Sequence, residues 1–306
     1  NIEGDLAGFL LTWMCLALPV VYVLRSSVAS ILFILGITWY ACEAGYFNYP
    51  TNAATAYWVL LALIIPFYYL EFLKPNLKNN FFYFHSWLLA LSLTVTFGLF
   101  TDTSGEIILI GYMSLFSGYI LMSQLKTFET NRVLTNAYLV IGSLGIITLL
   151  LTLSSAWYWE DISNNALESI VTQPEFIASV ILTLCTGVLL YITWINSPER
   201  NNINMKSYAF IIFIILFFIG LNAPVFSQIL TNVVILSLAI YTIRDGAQRN
   251  HLGILNYGLL IITALIAFRF FDTDFSFVVR GLLFIAVGVG FFAANYYMIQ
   301  KRKKNI

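Results

Sequence analysis

Charge is what this chain has least of. Of its 306 residues only 10% are Asp, Glu, Lys or Arg, whereas 60% are hydrophobic, and the mean hydropathy is +0.85. A soluble domain carries about a quarter charged residues, so a water-soluble globule is excluded and a polytopic membrane protein is expected. Ligand-forming residues are scarce as well. His85 and His251 lie on separate segments with no third ligand beside them, a poor basis for a metal site. The three cysteines, Cys15, Cys42 and Cys185, show no C-x-x-C spacing and read as small apolar core residues. Metal-protease, P-loop and nucleophile-elbow patterns are absent. Gly288-Val-Gly290 sits inside an apolar run with no strand before it, so it is not a nucleotide loop. No carboxylate falls in mid-span, which argues against a proton- or sodium-coupled transporter. No cofactor, metal or nucleic-acid partner is expected.

What the chain has in abundance is long apolar runs. A helix needs about 20 mostly apolar residues to cross the hydrocarbon core. Eleven such spans are expected: Leu6–Leu24, Ser27–Cys42, Ala53–Leu70, Phe81–Phe100, Ile107–Leu125, Leu134–Trp157, Phe176–Asn196, Ser207–Leu221, Pro224–Ile243, Leu252–Phe268 and Phe277–Ile299. The fold class is therefore all-α, a polytopic helix bundle forming one transmembrane domain over residues 1–306. The link Gly220-Leu-Asn222-Ala-Pro224 is very tight, and a single broken helix is the alternative there. Pro19 and Pro66 sit inside spans and should kink them. Ser114 with Gly118, Gly142 with Gly145 and Gly288 with Gly290 offer small patches for close helix approach. Aromatic clusters at span ends, such as Phe67-Tyr68-Tyr69 and Trp157-Tyr158-Trp159, read as interfacial anchors.

The links between spans alternate in sign. Glu3 and Asp5 precede the first span, Arg25 follows it, Glu43 follows the second, and Glu71, Lys74 and Lys78 follow the third. Asp102 and Glu106 come next, then Lys126, Glu129 and Arg132, then Glu160, Asp161, Glu168 and Glu175; the seventh link carries Glu199, Arg200 and Lys206, the eighth no charge, and the ninth Arg244, Asp245 and Arg249. The chain ends on Lys301-Arg302-Lys303-Lys304. Basic links stay in the cytoplasm, so the C-terminus is expected inside and the N-terminus outside. On that map 13 of 15 Lys/Arg lie inside and 11 of 15 Asp/Glu outside. The chain opens at Asn1 with no basic stretch before its first apolar run, so no signal peptide is expected. An outside start needs either a preceding span in the full-length protein or insertion of the first hairpin as a unit, and a preceding part is expected.

Two groups of residues are candidates for function. Arg269, Asp272, Asp274 and Arg280 form a charged cluster on the outer face, either a salt-bridged clasp or a site for an anionic or lipid headgroup. Glu43 and the Glu160/Asp161 link can join it. Asn222, Gln228 and Asn232, around the tight link, need partners in lipid and are candidates for lining a cavity. His85, beside Trp87, reads as an interfacial histidine satisfied by a carbonyl or water.

The ending Arg269-Phe-Phe-Asp272-Thr-Asp274-Phe-Ser-Phe-Val-Val-Arg280-Gly281 resembles bacterial membrane proteins grouped as domain of unknown function 2157. The opening Gly4-Asp5-Leu-Ala and the turn Leu24-Arg25-Ser26 are similar to that family's middle region. The resemblance implies a bacterial inner-membrane protein with further spans before this chain, and it brings no catalytic residues with it. The expectation is a non-enzymatic scaffold or subunit of an envelope assembly whose partners are membrane lipids and other membrane subunits. A transporter or flippase for a lipid-like or small neutral substrate, and an outward-facing lipid-linked glycan enzyme, are the alternatives.

Overall fold

The structure, a computed structural model, describes residues 5–47, 54–100, 105–130, 132–164, 174–196 and 204–272, with scattered positions between 278 and 300. Among the described residues it is all helical. The elements are α1 (Leu6–Leu24), α2 (Ser27–Gly45), α3 (Thr55–Tyr68), α4 (Asn80–Phe97), α5 (Gly105–Ser123), α6 (Ala137–Leu153), α7 (Ala156–Asn164), α8 (Pro174–Asn196), α9 (Ala209–Gly220), α10 (Pro224–Gln248) and α11 (Leu252–Asp272). Seven helices are long and apolar enough to cross a membrane. The apolar stretches Ile107–Ser123 and Met205–Gly220 are shorter, and α6 with α7 makes a pair bent by 76°. The last expected span lies largely outside the described residues. The chain forms two compact units, Asn1–Gly145 with Leu167–Phe210, and Ile146–Ala166 with Ile211–Ile306.

Helix starts in both units follow from polar residues placed before apolar runs. Asp5, Asn79 and Asn136 each accept a backbone N–H from the first turn of α1, α4 and α6, at 3.0, 2.9 and 3.1 Å. Ser26 does the same for α2, and His251 Nδ1 for α11. Each cap satisfies one of the four N–H groups that a helix start leaves without an intrahelical partner.

In the first unit α4 is the common partner. Lipid tails are as apolar as leucine, so helices in a membrane are held by close packing and hydrogen bonds rather than by expulsion of water. Tyr57 of α3 and Thr38 of α2 both meet Ser92 of α4, at 2.7 and 2.6 Å. Tyr68 bonds Ser86 at 2.7 Å. Tyr46 donates to the carbonyl of Val95, Tyr112 to that of Thr94 and Tyr119 to that of Ala90, at 2.7, 2.9 and 2.9 Å. Elsewhere in this unit Gly142 of α6 lies where an added Cβ would come within 2.7 Å of the Phe116 carbonyl. Ser114 of α5 bonds Thr183 of α8 at 2.8 Å, and Thr186 donates to the Ser114 carbonyl. The opposite side of α8 exposes Ile181, Leu184 and Val188.

Cross-links between helix ends show which links share a side of this unit. Lys78 donates to the carbonyls of Lys126 and Glu129 at 3.0 and 2.7 Å. Gln124 bonds Ser207, and its Oε1 accepts from the Asn204 amide, each at 3.0 Å. The links after α3, α5 and α8 therefore lie together, and Arg25 joins Lys74 at the same end. The links after α2 and α4 meet at the other end, where Gly45 packs on Leu99. This is the alternation that the charges predicted within the unit.

In the second unit the chain breaks twice. At Ser154–Ser155 it turns by 76° into α7, and Trp159 donates from Nε1 to the Leu153 carbonyl at 2.7 Å, satisfying an acceptor freed at the end of α6. Trp159 and Tyr158 are fully buried, in ring contact with Phe213. Two of these three aromatics are thus core residues rather than interfacial anchors; Trp157 alone is exposed. The rings need the site that Gly220 leaves open, since a Cβ there would meet Trp159 at 2.4 Å. At the second break Ser227 Oγ donates to the Leu216 carbonyl at 2.9 Å. In one continuing straight helix residues that far apart would be separated by about 16 Å, so the chain turns sharply at Asn222. Pro224 supplies the first turn of α10, where its missing N–H costs nothing. α10 and α11 then pair, with Leu255 and Leu259 buried against Ile243 and Ala247.

Candidate functional site

Charge and shape come together in the first unit where α1 and α3 end. Pro66 has no N–H for the Ala62 carbonyl, and Tyr22 of α1 donates its hydroxyl to the neighbouring carbonyl, that of Leu63, at 2.5 Å. Beyond the proline the helix widens into a π-turn over Tyr69–Leu73, closed by the Lys74 amide on the Tyr69 carbonyl at 2.8 Å. Such turns recur at functional positions. Phe67, Leu70, Glu71 and Lys74 then share one face, and with Tyr22 and Arg25 they line a cleft of about 320 Å³.

Arg25 has φ 45° and ψ 39°, the left-handed region, which costs an L residue without a short polar side chain about 1 kcal/mol. The other described non-glycine residues with positive φ are Asn76 and Asn250, a residue type that tolerates it. A strained arginine at the mouth of a cleft is a pointer to function. Neither Arg25 nor Lys74 forms an ion pair with Glu71 within 4 Å, although all three line the same space. Two cations, one carboxylate and two apolar walls at a span end make a place for a charged group attached to an apolar one.

Sequence reasoning passed over this cleft because it counted Arg25, Glu71 and Lys74 as separate loop charges. The signal was present as Phe67, Leu70, Glu71 and Lys74 at i, i+3, i+4 and i+7 after a proline, with Tyr22 and Arg25 spaced by three on the facing helix.

The expected outer cluster is placed only in part. Arg269 lies in the last turn of α11 and is half-buried, and Asp272 closes that helix. Asp274 and Arg280 fall outside the described residues. Of the expected polar cavity, Asn222 is exposed in the turn, while Gln228 and Asn232 are half-buried on one another, Asn232 Nδ2 donating to the Gln228 carbonyl at 2.8 Å. The polar residues turned to the core of this unit stand one position earlier, at Ser227 and Thr231. Glu43 is half-buried at the end of α2; Glu160 and Asp161 are exposed on α7.

Three ionisable groups are more buried than their sequence positions suggest. His85 is fully buried, with Nδ1 2.7 Å from the Phe81 carbonyl and Nε2 3.0 Å from Ser30 Oγ. It is satisfied by a carbonyl, as expected, and is buried among the helices of the unit. Glu175, expected in an outer link, is fully buried in the first turn of α8, so the expectation of no buried carboxylate does not hold. Pro174 starts the helix one residue earlier and carries Glu175 into it, at the end where the helix dipole favours an anion. Lys206, expected in a basic inner link, is 6% exposed and donates to Ser143 Oγ at 2.7 Å. The cysteines depart in the other direction: Cys15 and Cys185 are exposed, not core. Gly288 and Gly290 have open space around them, whereas Gly118 and Gly142 serve packing as expected. Among the described residues no group of His, Cys, Asp and Glu could hold a metal ion.

No protein-family model matches the sequence, and comparison with curated proteins and with solved structures gives no match.

Proposed function

We propose that this chain is an integral membrane scaffold or assembly subunit that binds phospholipid headgroups in the cleft between α1 and α3. The observation that carries the reading is the pairing of Arg25 and Lys74 across a space walled by Phe67 and Leu70. Guanidinium and ammonium groups bind phosphate oxygens by charge-assisted hydrogen bonds, and the apolar walls suit the first carbons of acyl chains. At about 320 Å³ the space is at the low end of ligand sites, a size for a headgroup rather than for a whole lipid.

The setting we propose is a bacterial cytoplasmic membrane crossed about eleven times, with the N-terminus outside and the C-terminus inside. The skew of Lys and Arg to one set of links supports this orientation, as does the meeting of the links after α3, α5 and α8 at one end of the first unit. The cleft then faces the inner leaflet, where basic residues at span ends meet lipid phosphates. Lipid binding moves from the outer cluster to this inner one because Arg25, Glu71 and Lys74 are placed together.

The test is to purify the full chain with native lipids, count retained phospholipids by native mass spectrometry, and repeat with the Arg25→Gly/Lys74→Ala double variant. The variant should retain at least one phospholipid fewer per chain. An unchanged lipid count in a folded variant rejects the site.

A further inference from the structure

We infer that the cleft selects a zwitterionic headgroup carrying a primary amine, a phosphoethanolamine ester, with its phosphate on Arg25 and Lys74 and its ammonium on Glu71. This deepens the proposed function and rests on it. Glu71 is the residue that a site for a bare anion would not contain. It stands in the π-turn, half-buried, on the wall shared with Lys74, and it has no ion pair with either cation. A phosphate held by Arg25 and Lys74 alone would face that carboxylate as a like charge. A ligand bearing its own cation a few bonds from its phosphate converts the repulsion into a second contact. The cleft offers two positive groups and one negative group, and a phosphoethanolamine offers their complement.

The amine is primary rather than quaternary for a chemical reason. A primary ammonium has three N–H donors for a carboxylate, whereas a trimethylammonium has none and is held by aromatic cages. Here the two aromatic rings pack edge-to-face on each other, with centroids 5.7 Å apart, and leave no space between them for a trimethylammonium group. The ligand is a lipid rather than the free ester because the cleft lies at the ends of two spans and its wall continues through exposed Leu70.

The experiment titrates the purified full chain with phosphatidylethanolamine, phosphatidylglycerol and phosphatidylcholine of matched acyl chains, read by native mass spectrometry. Phosphatidylethanolamine should bind about two- to fivefold more tightly than either competitor, the range of a partly exposed ion pair. Glu71→Gln should erase that preference and leave phosphatidylglycerol bound. Arg25→Gly with Lys74→Ala should weaken all three lipids. Arg25→Gly removes the guanidinium and at the same time relieves the left-handed backbone, so loss of binding in it is not loss of fold. Equal or tighter phosphatidylglycerol or phosphatidylcholine binding in the unaltered chain, or a preference that survives Glu71→Gln, overturns the selectivity and leaves the headgroup site standing. Unchanged binding of every lipid to the double variant overturns both. Displacement by soluble phosphoethanolamine at the same concentration as the lipid overturns the membrane source.

Discussion

Ser92 offers a quantitative test of what holds the first unit together. Its hydroxyl meets Tyr57 at 2.7 Å and Thr38 at 2.6 Å, and both it and Tyr57 are buried. Tyr57→Phe deletes one oxygen and keeps the ring, so packing is preserved and the loss is the hydrogen bond. Side-chain bonds between membrane helices average about 0.6 kcal/mol and reach about 1.7, which sets the expected cost of Tyr57→Phe. Ser92→Ala removes both contacts and should cost about twice as much. Thr38 keeps its bond to the Ile34 carbonyl at 2.7 Å and Tyr57 keeps its contact with Thr96, so little is added for an orphaned partner. The double variant should cost less than the sum of the single ones, by about 0.6–1.7 kcal/mol. The assay is equilibrium unfolding of the purified chain in mixed micelles at rising denaturing detergent, followed by tryptophan fluorescence. Strict additivity, with a coupling energy near zero, would refute the claim that these hydroxyls bond each other and that α4 organises its neighbours through them.

Three further outcomes are expected. Gly142→Ala forces a methyl group against the Phe116 carbonyl and should destabilise by about 1–3 kcal/mol in the same assay, whereas Gly288→Ala, with open space around it, should change stability by less than about 0.5 kcal/mol. Trp159→Phe leaves the Leu153 carbonyl without its indole donor and should cost about 1–3 kcal/mol. In sealed vesicles single cysteines replacing Lys74 and Lys126 should react from the same side with an impermeant maleimide, and one replacing Asp102 from the other; Lys74 and Asp102 reacting from one side would overturn the sidedness.

The spans were legible because hydropathy needs no partner: a run such as Leu6–Leu24 is apolar whatever surrounds it, and its helix begins and ends where expected. The sharp turn at Asn222 was legible in the tight Gly220-Leu-Asn222-Ala-Pro224 link. Facing was not legible. Trp159 and Trp157 are the same residue type two positions apart, and one is core while the other is exposed. Nothing in a uniformly apolar helix says which side meets lipid, and so Cys15 and Cys185 were assigned to the wrong surface. The cleft was missed for a related reason. Arg25 and Lys74 are 49 positions apart, and only the pairing of α1 with α3, through Tyr22 and the proline-freed turn, brings them to one space. Glu175 and Lys206 show that a charge near a span end can be drawn into the bundle when a proline or a 3₁₀ turn sets the start of the helix.

The tyrosines that reach α4 have a consequence for how this half of the molecule is built. Ala90 lends Tyr119 a carbonyl lone pair left over after the helix ladder has taken its share, whereas Thr94 and Val95, in the last turn of α4, lend Tyr112 and Tyr46 carbonyls that the ladder leaves open. Alone, α4 is therefore complete along most of its length but carries open acceptors in its last turn, and the hydroxyls of Tyr46 and Tyr112 close that end. The helix end is finished by its neighbours, one preceding it in the chain and one following.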